Sequence, residues 1–207
     1  MTGRDLLVIA LAFGLGAIPT ALWVGKARGV DLRATGSGNL GATNVYRSLG
    51  PRAGLAVLGA DMLKGAAAVV LARRLGESGA IAVAAAAAAV LGHVLSPLAG
   101  FRGGKGVAAG GGAMLALAPA AGLIALGVFA ATLAMTRYVS LSSIAAAAAL
   151  PVAVAATAAR EVPGLRWASI VLAALVIARH RANLGRLLHG TERRFAFRRG
   201  AAGEGTR

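Results

Sequence analysis

The sequence predicts an all-α polytopic membrane protein with seven transmembrane helices, N-terminus outside and C-terminus cytoplasmic. Three observations carry that expectation. The 207 residues are 57% hydrophobic and only 14% charged, with mean hydropathy +0.73, against about 45–50% apolar and about 25% charged in soluble domains. The apolar residues fall in long blocks separated by short basic loops, the pattern of a multi-pass chain. Strand alternation is absent, and lipid admits only helices or closed barrels.

The first block, residues 6–25, has no charge before Gly25 and is long enough to cross about 30 Å of hydrocarbon. It is too long for a signal peptide, its leading segment carries only Arg4 beside Asp5, and Pro19 predicts a kink. Residues 53–72 form the second span and carry Asp61 and Lys64. Residues 80–98 form the third, an alanine-rich stretch ending in His93 and Pro97. The fourth, 107–118, holds Gly110, Gly111 and Gly112 and is short for a crossing. Spans five to seven cover 120–136, 141–159 and 167–178. No linker divides the chain, and Gly200–Arg207 reads as a frayed tail.

Charge decides the parity. With seven crossings, sixteen Lys and Arg fall on the inner side: Lys26, Arg28, Arg33, Arg47, Arg52, Arg102, Lys105, Arg137 and the tail from Arg179 to Arg207. Five fall outside: Arg4, Arg73, Arg74, Arg160 and Arg166. Without the fourth crossing the tail's eight arginines move outside, against the positive-inside rule.

The same chemistry narrows the function. A net charge of +15 suggests nucleic acid, but two Trp, two Tyr and five Phe supply a poor stacking platform, and a membrane protein is basic for topological reasons. No nucleic-acid partner is expected. Zero cysteine removes a thiol nucleophile, a disulfide scaffold and a Cys-ligated metal. No metal-ligand cluster is legible and no cofactor is expected.

The unusual polar residues concentrate on the inner loops. Gly36–Arg47 reads GSGNLGATNVYR. It contains GxGxxG with Asp61 twenty residues past the third glycine, yet a membrane helix rather than a strand precedes it, so a dinucleotide fold is rejected. Its chemistry stands regardless. Glycines let backbone amides approach an anion, Ser37 and Thr43 add hydroxyls, Arg47 offers a planar fork for phosphate, and a helix beginning after Gly41 would add positive potential. Gly38, Asn39 and Asn44 belong to the same candidate loop. The second motif runs Gly92-His93 to Ser96-Pro97 and on through Phe101-Arg102-Gly103-Gly104-Lys105-Gly106-Val107. It offers a second anion cradle from Lys105 and the Gly103 and Gly104 amides, with His93 read as a structural hydrogen-bond partner. Asp61 and Lys64, three apart on one helical face, either pair inside the bundle or leave Lys64 to reach an anionic ligand. His180 and Asn183, also three apart, can orient a hydroxyl or take a proton. Ser140, Ser142 and Ser143 either cap the sixth span or face the same pocket.

Taken together, GSGNLGATNVYR, DMLKG (Asp61–Gly65), GHVLSPLAGFRGGKGVA (Gly92–Ala108), TRYVSLSSI (Thr136–Ile144) and HRANLGRLLHGTERRF (His180–Phe195) resemble, in order and over nearly the whole chain, the bacterial membrane acyl-phosphate:glycerol-3-phosphate acyltransferases. That family often has Thr where this chain has Ala109 and Ala or Gly where it has Ser142; the glutamate of the GTE stretch is present as Glu192. The resemblance implies a seven-helix bundle with a cytoplasm-facing site. It also implies acyl transfer from acyl phosphate to the 1-hydroxyl of glycerol 3-phosphate, giving lysophosphatidic acid and phosphate. Ser37, Arg47 and Lys105, with Gly103 and Gly104, are then expected to hold phosphate, Thr43 to support them, and His180 and Asn183 to orient the hydroxyl. The proton acceptor is either a donor phosphate oxygen or His180. The expected setting is the bacterial cytoplasmic membrane, as a monomer in the bilayer. A small transporter for phosphate esters is the alternative, supported by Asp61, Lys64 and glycine-broken helices. Anion-site residues crowded on one face rather than at mid-membrane argue against it.

Overall fold

The structure is a computed structural model that describes residues 1–75, 78–158, 162 and 164–196. Every regular element among them is helical. Ala159, Arg160, Arg198, Arg199, Arg207 and the expected frayed tail lie outside the described residues.

The first apolar block begins at Gly3 with a capping box, in which Thr2 accepts from the Asp5 amide and Asp5 from the Thr2 amide. It breaks where Pro19 removes an amide donor, giving α1 (Gly3–Ala17) and α2 (Thr20–Ala27). A short α3 (Ala42–Leu49) follows the glycine-rich loop. α4 (Pro51–Arg74) has proline in its first turn, where the missing donor costs nothing. Then come α5 (Gly79–Leu95), a 3₁₀ turn at Pro97–Ala99, α6 (Val107–Leu117), α7 (Pro119–Thr136), α8 (Val139–Thr157), α9 (Leu165–Arg179) and α10 (Arg181–Leu188). By length and composition five helical stretches can cross a membrane: Gly3–Ala27, Pro51–Arg74, Gly79–Ala99, Pro119–Thr136 and Val139–Thr157. α6, with 11 residues, is shorter than those, and α9 has 15.

Small residues set the packing, as expected where lipid supplies no hydrophobic drive between helices. α1 lies on α5 and α4 on α6. A side chain at Gly65 would collide with the Ala109 backbone, and one at Gly112 with that of Met62, so α4 and α6 meet backbone to backbone. The main core joins Val8 and Ala12 of α1, Val69 of α4, Ala85 and Ala89 of α5, Met114 and Leu117 of α6 and Val154 of α8. α7 packs on α8 and α6 and buries only Ala121 and Gly122. At the C-terminal end of α6, Arg73 from the end of α4 donates to the carbonyls of Ala116 (2.8 Å) and Leu117 (2.9 Å), satisfying acceptors the helix leaves open.

Inside the bundle Lys64 pairs with Asp61 at 2.9 Å, the two side chains only 6% and 1% exposed. Lys64 Nζ also donates to the Ile18 carbonyl at the α1–α2 break (3.0 Å), and Thr20 Oγ1 donates to Asp61 (2.5 Å). The pair therefore stitches the broken first helix to α4.

Candidate active site

One end of the bundle carries the irregular backbone, and there the loop before α3, the loop before α6 and the segment after α10 meet. Three ties hold the first two of these together and to the end of α9. Arg33 donates to the Ala99 carbonyl, joining the glycine-rich loop to the 3₁₀ turn. Asn44, buried on α3, donates Nδ2 to the carbonyls of Leu32 (2.9 Å) and Thr35 (3.1 Å) and accepts the Ser37 amide at Oδ1 (2.9 Å). Arg179 at the end of α9 donates to the Gly104 carbonyl (3.3 Å).

These elements enclose about 780 Å³ of empty space, open at its mouth. Its walls include Ser37, Asn39, Thr43, Asn44 and Arg47 from the first motif, and Lys105 and His93 from the second. Asp61, Ser143, His180 and Asn183 stand on them too. Residues 37 to 183, far apart in sequence, thus converge on one cavity. Two helix N-termini face it: Thr43 stands in the first turn of α3, and Val107 and Ala108 in that of α6.

Five expected members stand elsewhere or are engaged differently. The Gly103 and Gly104 amides do not reach for an anion; they donate to the carbonyls of Val94 (3.1 Å) and His93 (3.2 Å), continuing the end of α5. Both glycines are needed for close approach, since a Cβ would strike the His93 carbonyl at 103 and the His93 ring at 104. Gly38 lies off the wall in a turn, φ +69°, with its amide on the Thr35 carbonyl (3.1 Å). Asn44 is on the wall, but both ends of its amide are engaged in holding the loop. Lys64 faces away, toward Ile18. The serines of α8 do not cap it: Ser142 and Ser143 each donate back to the carbonyl four residues earlier, Tyr138 and Val139.

The chemistry centres on a chain of side chains. Lys105 Nζ donates to Asn183 Oδ1 (2.5 Å), and Asn183 Nδ2 donates to Glu192 Oε1 (2.7 Å). Ser140 Oγ also donates to Oε1 (2.8 Å), and Arg186 Nε pairs with Oε2 (2.6 Å). Motif reasoning gives Glu192 no role and leaves Ser140 between capping a helix and facing the pocket. The available signal was a lone acid in an arginine-rich HGTERRF stretch. Burial alone would raise the Glu192 carboxyl; its hydrogen bonds from Asn183, Ser140 and Arg186 reverse that and hold it below the usual value. Burial pushes the Lys105 ammonium down to about 8; Glu192 opposes the shift, while Arg186, Arg179 and Arg47 add repulsion. Burial also lowers the Arg47 guanidinium, which donates Nη2 to the Arg193 carbonyl (3.1 Å). An anion entering here meets cations already short of water, so it gains more than it would at an open surface.

His180 sits between α9 and α10. Its Nδ1 lies 2.8 Å from the Val176 carbonyl, which only accepts, so Nδ1 carries the proton and Nε2 keeps its lone pair. Burial first, then the Lys105 charge, lowers the imidazole to about 4, so it is neutral at pH 7.

A second space of about 870 Å³ adjoins the first and is lined almost wholly by apolar side chains of α4, α6, α7, α8 and α9. Leu58, Val107, Ala108, Phe129 and Ser143 wall both. A polar, cation-rich chamber therefore opens into an apolar groove.

Residues 6–190 match the family described as glycerol-3-phosphate acyltransferase. The chain belongs to that family. Glycerol-3-phosphate acyltransferases of Geobacter sulfurreducens and Geobacter metallireducens are 50% and 52% identical, covering 93% and 92% of this chain and 98% and 97% of theirs. A crystal structure of PlsY, an integral membrane glycerol 3-phosphate acyltransferase, in its glycerol 3-phosphate form superposes with TM-score 0.87 at 38% identity, covering 94% of this chain and 96% of that one. Its lysophosphatidic acid form gives 0.85 at 37% identity, with the same coverage. The family relationship thus extends over the whole helical bundle and both spaces.

Proposed function

We propose that the polar cavity is where an acyl group moves from acyl phosphate to the 1-hydroxyl of glycerol 3-phosphate, giving lysophosphatidic acid and inorganic phosphate. Acylation of glycerol 3-phosphate in phospholipid synthesis follows from family membership. The donor, the roles of the residues and the membrane face are this site's own reading. The observation that carries it is the union of the two spaces: a chamber with Arg47 and Lys105 on its walls suits phosphates, and the adjoining groove suits a lipid tail. The solved relative in its lysophosphatidic acid form supports a ligand that has both parts.

Ser37, Thr43, Arg47 and Lys105 hold phosphate together with the first-turn amides of α3 and α6. Those helix ends replace the Gly103 and Gly104 amides, which are engaged in backbone bonds. Asn183 presents Lys105, and His180 Nε2 accepts a hydrogen bond from the glycerol 3-phosphate hydroxyl. The hydroxyl oxygen attacks the donor's carbonyl carbon, the tetrahedral intermediate collapses, and the carbon–oxygen bond to phosphate breaks. The hydroxyl proton moves onto His180 Nε2 as the bond to carbon forms and ends on an oxygen of the released phosphate, since an imidazole that burial keeps neutral does not hold it. Positioning and charge then supply the rate, with no covalent enzyme intermediate.

The helix ends on the cavity support seven passes. α5 and α7 approach it with their C-terminal halves, α9 with the His180 that ends it, and α6 and α8 with their first turns. α6, about 16 Å long, starts at the cavity and ends on Arg73 at the far end of α4. That alternation, with the charge distribution, favours an outside N-terminus and a cavity facing the cytoplasm, in the cytoplasmic membrane of a bacterium. The cavity is complete within one chain, which favours a monomer.

The test is acyl transfer to glycerol 3-phosphate measured in parallel from acyl phosphate and acyl-CoA of the same chain. We expect turnover with the phosphate and at most a few per cent of that rate with the thioester. A clear preference for the thioester overturns the donor assignment.

A further inference from the structure

The glycine triplet of α6 has a split explanation. A side chain at Gly112 would collide with the backbone of Met62, whereas one at Gly110 would meet Leu172 at 3.4 Å, an ordinary contact. Helix packing accounts for Gly112. It does not account for Gly111: a Cβ there meets nothing within 4 Å, and Gly111 lines the apolar groove. Gly14, Gly59 and Gly127 face open space as well, so Gly111 is set apart only by a use for its space.

The groove supplies it. From the shared rim it runs from Val107 to Leu115 on α6, from Phe129 to Gly122 on α7 and from Ser143 to Leu150 on α8, in each case about 10 Å of helix. An extended chain advances roughly 1.2 Å per bond, so the groove holds on the order of eight or nine carbons. Gly111 lies four residues beyond Val107, about 6 Å in, level with roughly the fifth carbon. Leu58 and Leu126 on the wall are 38% and 46% exposed, so the groove is open sideways to lipid and a longer tail can leave it.

We infer that Gly111 is a chain-length determinant, its missing side chain leaving room in the groove for the acyl chain beyond about its fifth carbon. This rests on the acyl-phosphate reading above. A tail lies in hydrocarbon whether it is in the groove or in the bilayer, so each added methylene gains little. Length selection therefore acts through steric exclusion, and the native enzyme accepts long chains with shallow preference.

The experiment compares butanoyl and hexadecanoyl phosphate as donors for the purified full-length protein, Gly111→Leu and Ala146→Phe. Ala146 faces the same groove from α8. Gly127→Leu is the control: it fills open space on α7 away from the groove. We expect both groove variants to lose at least tenfold in kcat/KM with hexadecanoyl phosphate, to stay within threefold of native with butanoyl phosphate, and to keep the native KM for glycerol 3-phosphate. The control should match the native protein with both donors. Equal losses on both donors, or none, overturn the assignment of Gly111 while leaving the donor reading in place. A native protein inert with both acyl phosphates overturns both.

Discussion

Two lysines near carboxylates, one buried in mid-bundle and one half-buried at the cavity, are wired differently. Lys64 touches Asp61 directly at 2.9 Å and donates to the Ile18 carbonyl as well. Its charge is fully answered within the protein. Lys105 has an amide between itself and its carboxylate: Asn183 accepts from Lys105 and donates to Glu192, while Glu192 is matched by Arg186 and Ser140. Its positive charge is positioned but not neutralised. A closed pair holds helices together; an interrupted one leaves a cation oriented toward whatever enters the cavity.

The sharpest way to break this contrast is to remove each lysine in turn. Lys64→Met leaves Asp61 buried and unpaired, which costs about 3–5 kcal/mol of stability. We expect a markedly lower unfolding midpoint in detergent, largely restored in Asp61→Asn/Lys64→Met. An unchanged midpoint in the single variant, or no recovery in the double, would show that the pair is not closed in this sense. Lys105→Ala should do the reverse. A charged hydrogen bond is worth about 1.5–3 kcal/mol, so kcat/KM falls by roughly 10- to 150-fold while the unfolding midpoint does not drop. Activity within threefold of native would remove Lys105 from the phosphate site.

The same contrast explains what sequence could and could not reveal. The helices end within a few residues of the hydropathy blocks, because a span must be long and apolar and Pro19, Pro51 and Pro119 mark its breaks and starts. Asp61 and Lys64 were legible as partners because helical spacing alone brings them together. The Lys105–Asn183–Glu192 chain was not, since it joins three segments whose meeting is a tertiary event. The glycines at 103 and 104 were misleading for a related reason. A glycine that admits an anion and one that admits a neighbouring ring look alike in sequence, and only the position of His93 tells them apart. α3 and α10, eight residues each, are too short for periodicity to announce.

The smallest effect expected is on pH dependence, and it tests whether the exposed wiring of Lys105 matters to function. In the empty cavity burial brings its ammonium down to about 8. Below that pH the lysine is charged and can bind phosphate; above it the lysine is neutral and the attraction is lost. Because kcat/KM reports the free enzyme, it should be level toward pH 7 and fall about tenfold for each pH unit above 8. A bound phosphate dianion favours the charged form, so the corresponding fall in kcat should begin at higher pH. Lys105→Arg keeps a cation that does not titrate in this range, so whatever activity that variant retains should show no alkaline fall. If kcat/KM stays flat to pH 9.5, or if the fall survives in Lys105→Arg, the titrating group is not Lys105 and the functional difference between the two lysines disappears.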